Sequence, residues 1–235
     1  MIPWLTDNTP FPPLTEALHE PGGLLAAGGG LTPERLLSAY RQGIFPWFSP
    51  GEPVLWWSPD PRMVLIPAEF KLSNSLAKTM RNTRYEVRTN SAFERVMRAC
   101  AAPRDKQRGT WIDEQMIAAY GELHRMGFAH SVEIWMEEKL AGGLYGVSIG
   151  QMFYGESMFS RVSNGSKIAL AHLCIHGTPA MIDCQMYTPH LASLGARLMP
   201  RDEFVIRVKD LANTSPATNW QLDSATRHEL SAKSR

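Results

Sequence analysis

The sequence predicts an α+β fold in which a small N-terminal domain, residues 1–60, precedes a larger domain, residues 61–210. Three strand-like runs lie at 131–136, 140–147 and 151–159, and a turn of three polar residues joins the first two as in a hairpin. A strand, a helix and another strand come after them. Antiparallel strands followed by this succession indicate a mixed, largely antiparallel sheet flanked by helices.

The first helix has clear start and stop signals. Thr32 is the expected N-cap, Pro33 occupies the first helical position, and Gly43 ends the helix. Tyr40 belongs to the apolar stripe of this helix. We therefore expect Tyr40 to face the core or a cleft.

The remaining elements follow from hydrophobic periodicity. The predicted strands are 63–66, 85–88, 181–185 and 204–208, and the predicted helices are 92–101, 113–126 and 166–176. The tail, residues 211–235, is polar with a lone tryptophan, Trp220. We expect this tail to be flexible and assign it no function.

The segment 43–62 combines five aromatic residues with five prolines. Proline removes backbone donors, so the segment is predicted to be neither a helix nor a central strand. Aromatic rings on a stiffened loop can stack on a flat ligand, which contributes roughly 1–3 kcal/mol per nucleic-acid base. The alternative is a loop that wraps the core and buries its tryptophans.

Composition narrows the class of protein. Hydrophobic residues make up 44% and charged residues 20% of the 235, which are ordinary globular values. No apolar run is long enough for a transmembrane helix, and the N-terminus lacks the pattern of a signal peptide. Three scattered cysteines disfavour a disulfide framework or a zinc site, so we expect a cytoplasmic protein outside the membrane.

The net charge of +1 hides a basic segment. Between Lys71 and Arg108, ten lysines and arginines accompany only three acidic residues. Such a local excess favours oriented contact with phosphates. An ordinary solvated helix surface is the alternative.

Ten segments occur in the order found in one protein family, and the match covers nearly everything from Pro3 to about Val208. The chain resembles the bacterial leucyl/phenylalanyl-tRNA–protein transferases in these segments: Gly22–Gly29, Pro33–Leu37, Ala39–Arg41, Gly43–Arg62, Gly109–Ile112, Ala129–Glu133, Gly142–Val147, Gly155–Ser160, Ile182–Gln185 and Leu191–Ala196.

The resemblance implies an activity and a fold. It implies transfer of Leu or Phe, and less readily Met, from aminoacyl-tRNA to proteins with N-terminal Arg or Lys, which marks them for degradation by the N-end rule pathway. It also implies a GNAT-type acyltransferase fold for the larger domain. We expect a monomer that needs no cofactor and no metal.

Asp183 and Gln185 lie two apart in a predicted strand, so their side chains should leave the same face. Such a pair is common, and the resemblance is what implies catalysis here. We expect Asp183 to orient the acceptor amine and take its proton. Gln185 would then hold Asp183 and the carbonyl group.

Glu156 stands in an otherwise apolar run, where a buried carboxylate needs a partner. One interpretation is a structural pair with Arg161 or Lys167. The functional interpretation, implied by the resemblance, is that Glu156 holds an α-amino group at the reacting centre. The sequence leaves open whether that amine is the donor's or the acceptor's.

The resemblance also implies an apolar pocket for the donor side chain, although each lining residue is an equally good core candidate. Phe153 and Met158 have opposite parity along one strand, so both can line the pocket only if a bulge lies near Gly155. The implied lining residues are Leu144, Phe153, Met158, Leu170, Leu173 and Ile182.

The resemblance assigns the tRNA contacts to two groups of side chains. Trp47 and Trp111 would sandwich the terminal adenosine, with Tyr40 and Tyr120 nearby. We expect Trp111 to open a helix in an exposed position. The acceptor-stem phosphates would meet Lys78, Arg81 and Arg84.

Two departures and two rival functions accompany the resemblance. Gly165 is expected to loosen a helix start, and the chain between Cys174 and Ile182 is shorter than in many relatives, which weakens the assignment of Leu173. The pair His172 and His176 has metal-binding spacing but no third ligand.

A CoA-dependent N-acetyltransferase is disfavoured because 161–166 lacks a pyrophosphate-binding turn. A noncatalytic tRNA-binding module would leave the acidic residues unexplained.

Overall fold

The computed structural model describes residues 2–103, 110–177, 179–216 and 220. These residues form two sheets, and the expected α+β class is confirmed. The smaller sheet has the order β1-β2-β4-β3 and contains β1 (Trp4–Leu5), β2 (Leu24–Gly28), β3 (Phe45–Pro46) and β4 (Leu55–Trp57).

The larger sheet has seven strands in the order β11-β5-β10-β9-β8-β7-β6. Its strand pairs are antiparallel except for β9 and β10, which run parallel. The strands are β5 (Arg62–Leu65), β6 (Glu86–Thr89), β7 (Ala129–Met136), β8 (Lys139–Ile149), β9 (Met152–Ser160), β10 (Met181–Gln185) and β11 (Arg197–Met199).

Helices cover both faces of the larger sheet. They are α1 (Pro33–Arg41), α2 (Asn74–Asn82), α3 (Phe93–Ala101), α4 (Glu114–Arg125), α5 (Gly165–His172), α6 (Pro189–Ser193) and α7 (Arg201–Leu211). A π-helical turn, Leu173–Gly177, continues α5, and short 3₁₀ turns lie at Leu14–Glu16 and Pro67–Glu69. No helix in the described ranges is both long and apolar enough to cross a membrane.

The predicted limits of α1 are confirmed. The Thr32 hydroxyl accepts a hydrogen bond from the Arg35 amide, and Pro33 is the first helical residue. Gly43 follows the helix with a φ of 75°, a conformation that glycine adopts without strain. Tyr40 is fully buried, as its place on the apolar stripe required.

Two element assignments were wrong. Residues 204–208 are predicted as a strand but lie within α7, where Phe204 and Val208 are four apart and both buried on one helical face. The segment 43–62 contains β4, which lies between two other strands. Its prolines at 53 and 59 flank β4 without interrupting the three residues that pair.

The two faces of the larger sheet support separate apolar cores. One core, here called the first core, joins this sheet to α1, α3, α4, α7 and the smaller sheet. The other, here called the second core, lies beneath α2 and α5. The active-site candidates divide between these two cores.

Two glycines allow close packing against β8. A Cβ atom at Gly142 would lie 2.7 Å from the backbone of Gly165, so the first residue of α5 rests directly on the strand. A Cβ atom at Gly146 would lie 2.7 Å from the Phe153 ring. Gly165 is therefore a site of close approach, where the sequence had indicated only a looser helix start.

Gly146→Ala is expected to lower the free energy of unfolding by about 1–3 kcal/mol or more, because the added methyl group would clash with the Tyr154 carbonyl oxygen and the Phe153 ring. Gly121 is the matched control, since it lies in α4 with no atom within 4 Å of a built Cβ. Gly121→Ala should stabilise the protein by about 0.5–1 kcal/mol. Denaturant unfolding of both variants measures the difference, and equal effects would contradict this packing.

Candidate active site at a fork between two strands

The candidate site lies where two parallel strands part. β9 and β10 pair through three positions that end at Tyr154 and Asp183. Beyond them β9 continues to Ser160 and β10 to Gln185. The two strands therefore separate after Tyr154 and Asp183, and this separation is called the fork.

Backbone bulges aim the side chains at the fork. Tyr145 of β8 pairs with Ser157 and Gly146 pairs with Gly155, so Glu156 has no partner residue in the ladder. The bulge predicted near Gly155 is therefore confirmed. A bulge bends its strand and redirects the extra residue, here Glu156.

A second bulge corrects the geometry expected for the acidic–amide pair. Asp183 pairs with Val64 and Gln185 with Met63, so one residue of β10 is skipped between them. Gln185 also has a left-handed φ of 62°. The regular alternation assumed from the sequence is therefore wrong at this point, and the two side chains take different partners.

Glu156 is enclosed by three hydrogen-bond donors. Its Oε1 accepts from the Tyr40 hydroxyl at 2.8 Å and from Gln185 Nε2 at 3.1 Å. Its Oε2 lies 3.2 Å from the Tyr120 hydroxyl, whose single proton goes either to this oxygen or to the nearby Tyr40 hydroxyl oxygen. These partners replace the pair with Arg161 or Lys167 considered from the sequence.

Burial controls the protonation of this cluster. Removal from water raises the pKa of Glu156 to about 8, although hydrogen bonds from Tyr40 and Tyr120 oppose the shift. Burial also raises the pKa of both tyrosine hydroxyls well above 10, so they remain donors at neutral pH. Glu156 can therefore exchange a proton near physiological pH.

Tyr40 and Tyr120 differ from their expected role near the adenosine. Both rings are fully buried, which leaves them no exposed face for stacking. Tyr154 reinforces this enclosure, because its hydroxyl donates to the Tyr40 carbonyl at 2.9 Å. The two tyrosine hydroxyls are instead within hydrogen-bond distance of the Glu156 carboxyl group.

Asp183 forms a buried ion pair with Arg62. Arg62 donates two hydrogen bonds to the carboxylate, at 2.8 and 2.7 Å, and both side chains are almost completely buried. The Gln185 backbone amide donates a third bond at 2.8 Å. Asp183 thus lacks the open face that direct contact with an acceptor amine would need.

Arg62 is the important site residue that the sequence reasoning missed. Its guanidinium also donates to the Gly43 carbonyl at 3.2 Å and lies between the Phe45 and Phe204 rings, at 4.6 and 4.7 Å. The available signal was a lone arginine that opens the apolar strand 62–65. A buried arginine requires an anionic partner.

All six residues predicted to line the donor pocket meet in or against the second core. Met158 is partly buried and borders a cavity of about 410 Å³ with Ser160, Ser166 and His190. The other five are almost completely buried: Leu144, Phe153, Leu170, Leu173 and Ile182. Leu173 lies in the π-helical turn and still reaches the core.

The aromatic segment 43–62 contains both buried and exposed rings. Phe45, Phe48 and Trp56 are buried, as the structural interpretation of the loop expected. Trp47 is 39% exposed and lies 5.6 Å from the Trp57 ring. Its exposed face is accessible to a ligand.

Trp111 lies two residues before Asp113, the N-cap of α4. It is partly buried against the first core, although we expected it to be exposed and to open the helix. No ring contact joins it to Trp47 among the described residues.

The basic segment is only partly described, because Arg104, Lys106, Arg108 and the adjoining Gly109 lie outside the described ranges. A cleft of about 940 Å³ has a lining of mixed charge, in which Arg84, Arg95, Lys139 and Arg161 lie beside Glu86, Glu137 and Glu138. On and just after α2, three exposed cations are absent from the ion pairs of the described residues: Lys78, Arg81 and Arg84.

His172 and His176 stack ring on ring with centroids 5.3 Å apart. The described residues include no group of three side chains that could hold a metal ion. His172 instead shares a hydrogen bond of 3.2 Å with the Tyr85 hydroxyl. Its place in the second core is structural.

Comparison with known proteins identifies the class of enzyme. Two family models match the chain, the leucyl/phenylalanyl-tRNA protein transferase over residues 64–209 and its N-terminal domain over residues 29–60. The protein is thus an aminoacyltransferase. It belongs to the leucyl/phenylalanyl-tRNA protein transferase family.

Curated relatives agree over almost the whole length. The leucyl/phenylalanyl-tRNA–protein transferase of Nitrosomonas europaea is 62% identical over 228 residues, which cover 95% of this chain and 96% of the relative. The one of Chromobacterium violaceum is 58% identical over 235 residues, covering 98% and 100%.

Two solved structures show distant similarity. A GCN5-related N-acetyltransferase from Kribbella flavida has a TM-score of 0.34 and 10% identity, covering 72% of this chain and 61% of its own. The structure of L-PGS from Bacillus licheniformis has a TM-score of 0.37 and 10% identity, covering 72% and 57%.

Glu156 should make the free energy of unfolding depend on pH. Its pKa rises from 4.5 to about 8 in the folded protein, so the folded state retains a proton that the unfolded state has lost. This contribution to stability therefore falls as pH increases from about 4.5 to about 8. Glu156→Gln removes this pH-dependent contribution, because glutamine does not titrate.

Denaturant unfolding of the wild-type protein and Glu156→Gln between pH 5 and about 8 provides the measurement. The variant should gain stability relative to the wild type as pH rises. Other titrating groups cancel in this difference. A stability difference that stays constant with pH would contradict the raised pKa.

Proposed function

We propose that this enzyme transfers leucine or phenylalanine, and less readily methionine, from aminoacyl-tRNA to the α-amino group of proteins with N-terminal Arg or Lys. The transfer would mark these proteins for degradation by the N-end rule pathway. The observation that carries the proposal is the cluster of Glu156 and Gln185 at the fork, in a chain of this family. The enzyme would act in the cytoplasm, as a monomer and without a cofactor.

The chemistry is aminolysis of an activated ester. The acceptor nitrogen forms a bond to the aminoacyl carbonyl carbon, and the bond from that carbon to the ribose oxygen breaks. The nitrogen loses one proton, and the departing ribose oxygen gains one. An N-terminal amine, with a pKa of about 7.7–8.0, is partly neutral at pH 7, so positioning is the main requirement.

Gln185 is the residue that would contact the reacting groups. Its Nε2 donates to Glu156, which leaves its carbonyl oxygen available to accept a hydrogen bond from the acceptor amine. Glu156 fixes the orientation of this amide. Because the pKa of Glu156 is about 8, this group is mainly protonated at pH 7, and the ionised fraction that could take a proton from the amine increases as pH rises towards 8.

Asp183 would act through Gln185 rather than on the amine directly. It holds the backbone amide of Gln185 at 2.8 Å while Arg62 occupies both of its oxygens. This arrangement fixes the left-handed turn that presents the Gln185 side chain. Asp183 is therefore a positioning residue in this proposal.

The donor side chain would cross the fork and enter the second core beside Met158. Ile182 and Phe153, which pair across β10 and β9, lie on that face. An apolar pocket separates leucine from phenylalanine or methionine by only about 1–3 kcal/mol. Relaxed choice among large apolar donors follows.

The tRNA would contact two surfaces. Its terminal adenosine would stack on the exposed face of Trp47, with Trp111 as the expected second wall. The phosphates of the acceptor stem would meet the cations of α2 and its C-terminal end, which are Lys78, Arg81 and Arg84.

A transfer assay tests the activity. Labelled leucine from leucyl-tRNA should appear on peptides that begin with Arg or Lys, and an N-acetylated copy of the same peptide should remain unlabelled. Gln185→Ala should lower kcat by about 100-fold to 1000-fold without changing the affinity for aminoacyl-tRNA, because it removes an aimed polar group. Gln115→Ala, on the exposed surface of α4, is the control.

The same assay separates the rival functions. Acetylation of the peptide from acetyl-CoA would indicate a CoA-dependent acetyltransferase. Binding of leucyl-tRNA without transfer would indicate a noncatalytic tRNA-binding module. Either result in place of leucine transfer would refute the proposed function.

Replacing Lys78, Arg81 and Arg84 together by glutamine should raise KM for aminoacyl-tRNA and flatten its salt dependence. For each phosphate that is no longer neutralised, the slope of log affinity against log salt should fall by about 0.7–0.9. Arg125, Arg197 and Arg207, which are exposed and paired with carboxylates, form the matched control triple. An unchanged slope in the test variant would remove these cations from the interface.

A further inference from the structure

Trp220 is a tryptophan that the proposed mechanism does not use. It lies in the polar tail, 11 residues beyond the end of the matched family region at 209. The neighbouring residues 217–219 and 221–235 lie outside the described ranges. At this one position the chain is nevertheless packed against the second core.

Three contacts define the position of Trp220. Its indole stacks on the His130 ring with centroids 4.1 Å apart and an interplanar angle of 5°. It lies 5.6 Å from the Phe153 ring at an angle of 33°. Its backbone carbonyl accepts a hydrogen bond of 3.1 Å from the Thr89 hydroxyl.

His130 is a fixed and uncharged platform for this indole. Its Nδ1 lies 3.0 Å from Asn90 Nδ2 and its Nε2 lies 3.0 Å from the Gly127 carbonyl, so both ring nitrogens have partners. Burial lowers the pKa of His130 to about 4, and the ring is neutral at physiological pH. The stack is thus an apolar contact of defined orientation.

Phe153 connects Trp220 to the predicted donor pocket. Its ring rests against the backbone of β8 at Gly146, where a Cβ atom would lie 2.7 Å away. On another side it meets Trp220. Phe153 therefore has little freedom to move, and it lies in the same core as Leu144, Leu170, Leu173 and Ile182.

We propose that Trp220 is a specificity-determining residue that supports Phe153 and thereby limits the size of the donor side-chain pocket. The inference rests on the proposed function, because it assigns the second core to the donor side chain. Trp220, from the C-terminal tail, contributes apolar surface to the second core.

Trp220→Ala tests the inference through the choice between leucyl-tRNA and phenylalanyl-tRNA. Loss of the indole lets the Phe153 ring move outward, which admits the larger donor more easily. The ratio of kcat/KM for phenylalanine to that for leucine should rise by about threefold to tenfold, a part of the discrimination that an apolar pocket can provide. Trp220→Phe, which retains an aromatic ring, should restore most of the wild-type ratio.

Two further variants separate specificity from stability. Thr89→Val keeps the side-chain volume but loses the bond to the Trp220 carbonyl, so it should shift the ratio in the same direction by a smaller factor. Trp4→Ala removes a tryptophan that is 70% exposed and should leave the ratio unchanged. Thermal unfolding of each variant records any general loss of stability.

The outcomes distinguish this inference from the proposed function. If the wild type transfers both amino acids and Trp220→Ala leaves their ratio unchanged, the role of Trp220 is refuted and the function stands. An equal loss for both donors together with a lower Tm would also refute it, since Trp220 would then be purely structural. Failure of the wild type to transfer either amino acid would refute the function itself.

Discussion

One buried ion pair organises the region around the fork. Arg62 and Asp183 come from neighbouring strands, and the same guanidinium reaches the Gly43 carbonyl after α1 and the Phe204 ring on α7. Taking both charges out of water is costly, and removal of one partner alone typically costs about 3–5 kcal/mol. The pair is therefore a constraint on geometry more than a source of stability. It holds the smaller sheet, the larger sheet and the last described helix around a single point.

That constraint supports two irregular strands. Gln185 adopts a left-handed conformation that is unfavourable for a residue with a side chain, at a cost of order 1–3 kcal/mol. The bond from its amide to the fixed Asp183 carboxylate offsets part of this cost. The bulge at Glu156 turns its carboxylate towards the same place. A regular sheet would have kept these two side chains apart.

Local signals in the sequence predicted much of this fold. The capping residues of α1, the hairpin of β7 and β8 and the helical stripe of α4 each depend on residues close together in the chain. The bulge beside Gly155 was also predictable, because Phe153 and Met158 had to line one surface from positions of opposite parity. The first three inferences needed only periodicity and turn chemistry, whereas the bulge also needed the pocket that the family resemblance implies.

The rest depends on partners that are distant in sequence. Arg62 and Asp183 are 121 residues apart, and Tyr40 reaches Glu156 across 116 residues. No local pattern reveals that two tyrosines would enclose a carboxylate rather than face a nucleotide. The strand prediction for residues 204–208 was wrong for a related reason. A short apolar run is compatible with a strand or a helix, and packing decides between them.

The adjacent residues Ile182 and Asp183 contribute to opposite sides of the larger sheet. Ile182 belongs to the apolar second core, while Asp183 holds the arginine on the other side. Under the proposed function, selection on the identity of the transferred amino acid would act on one surface while the polar residues on the other are retained. Because one peptide bond joins them, a change that displaces the strand would alter both properties together. Evolution of donor preference would then be restricted to substitutions that leave the path of the β10 backbone intact.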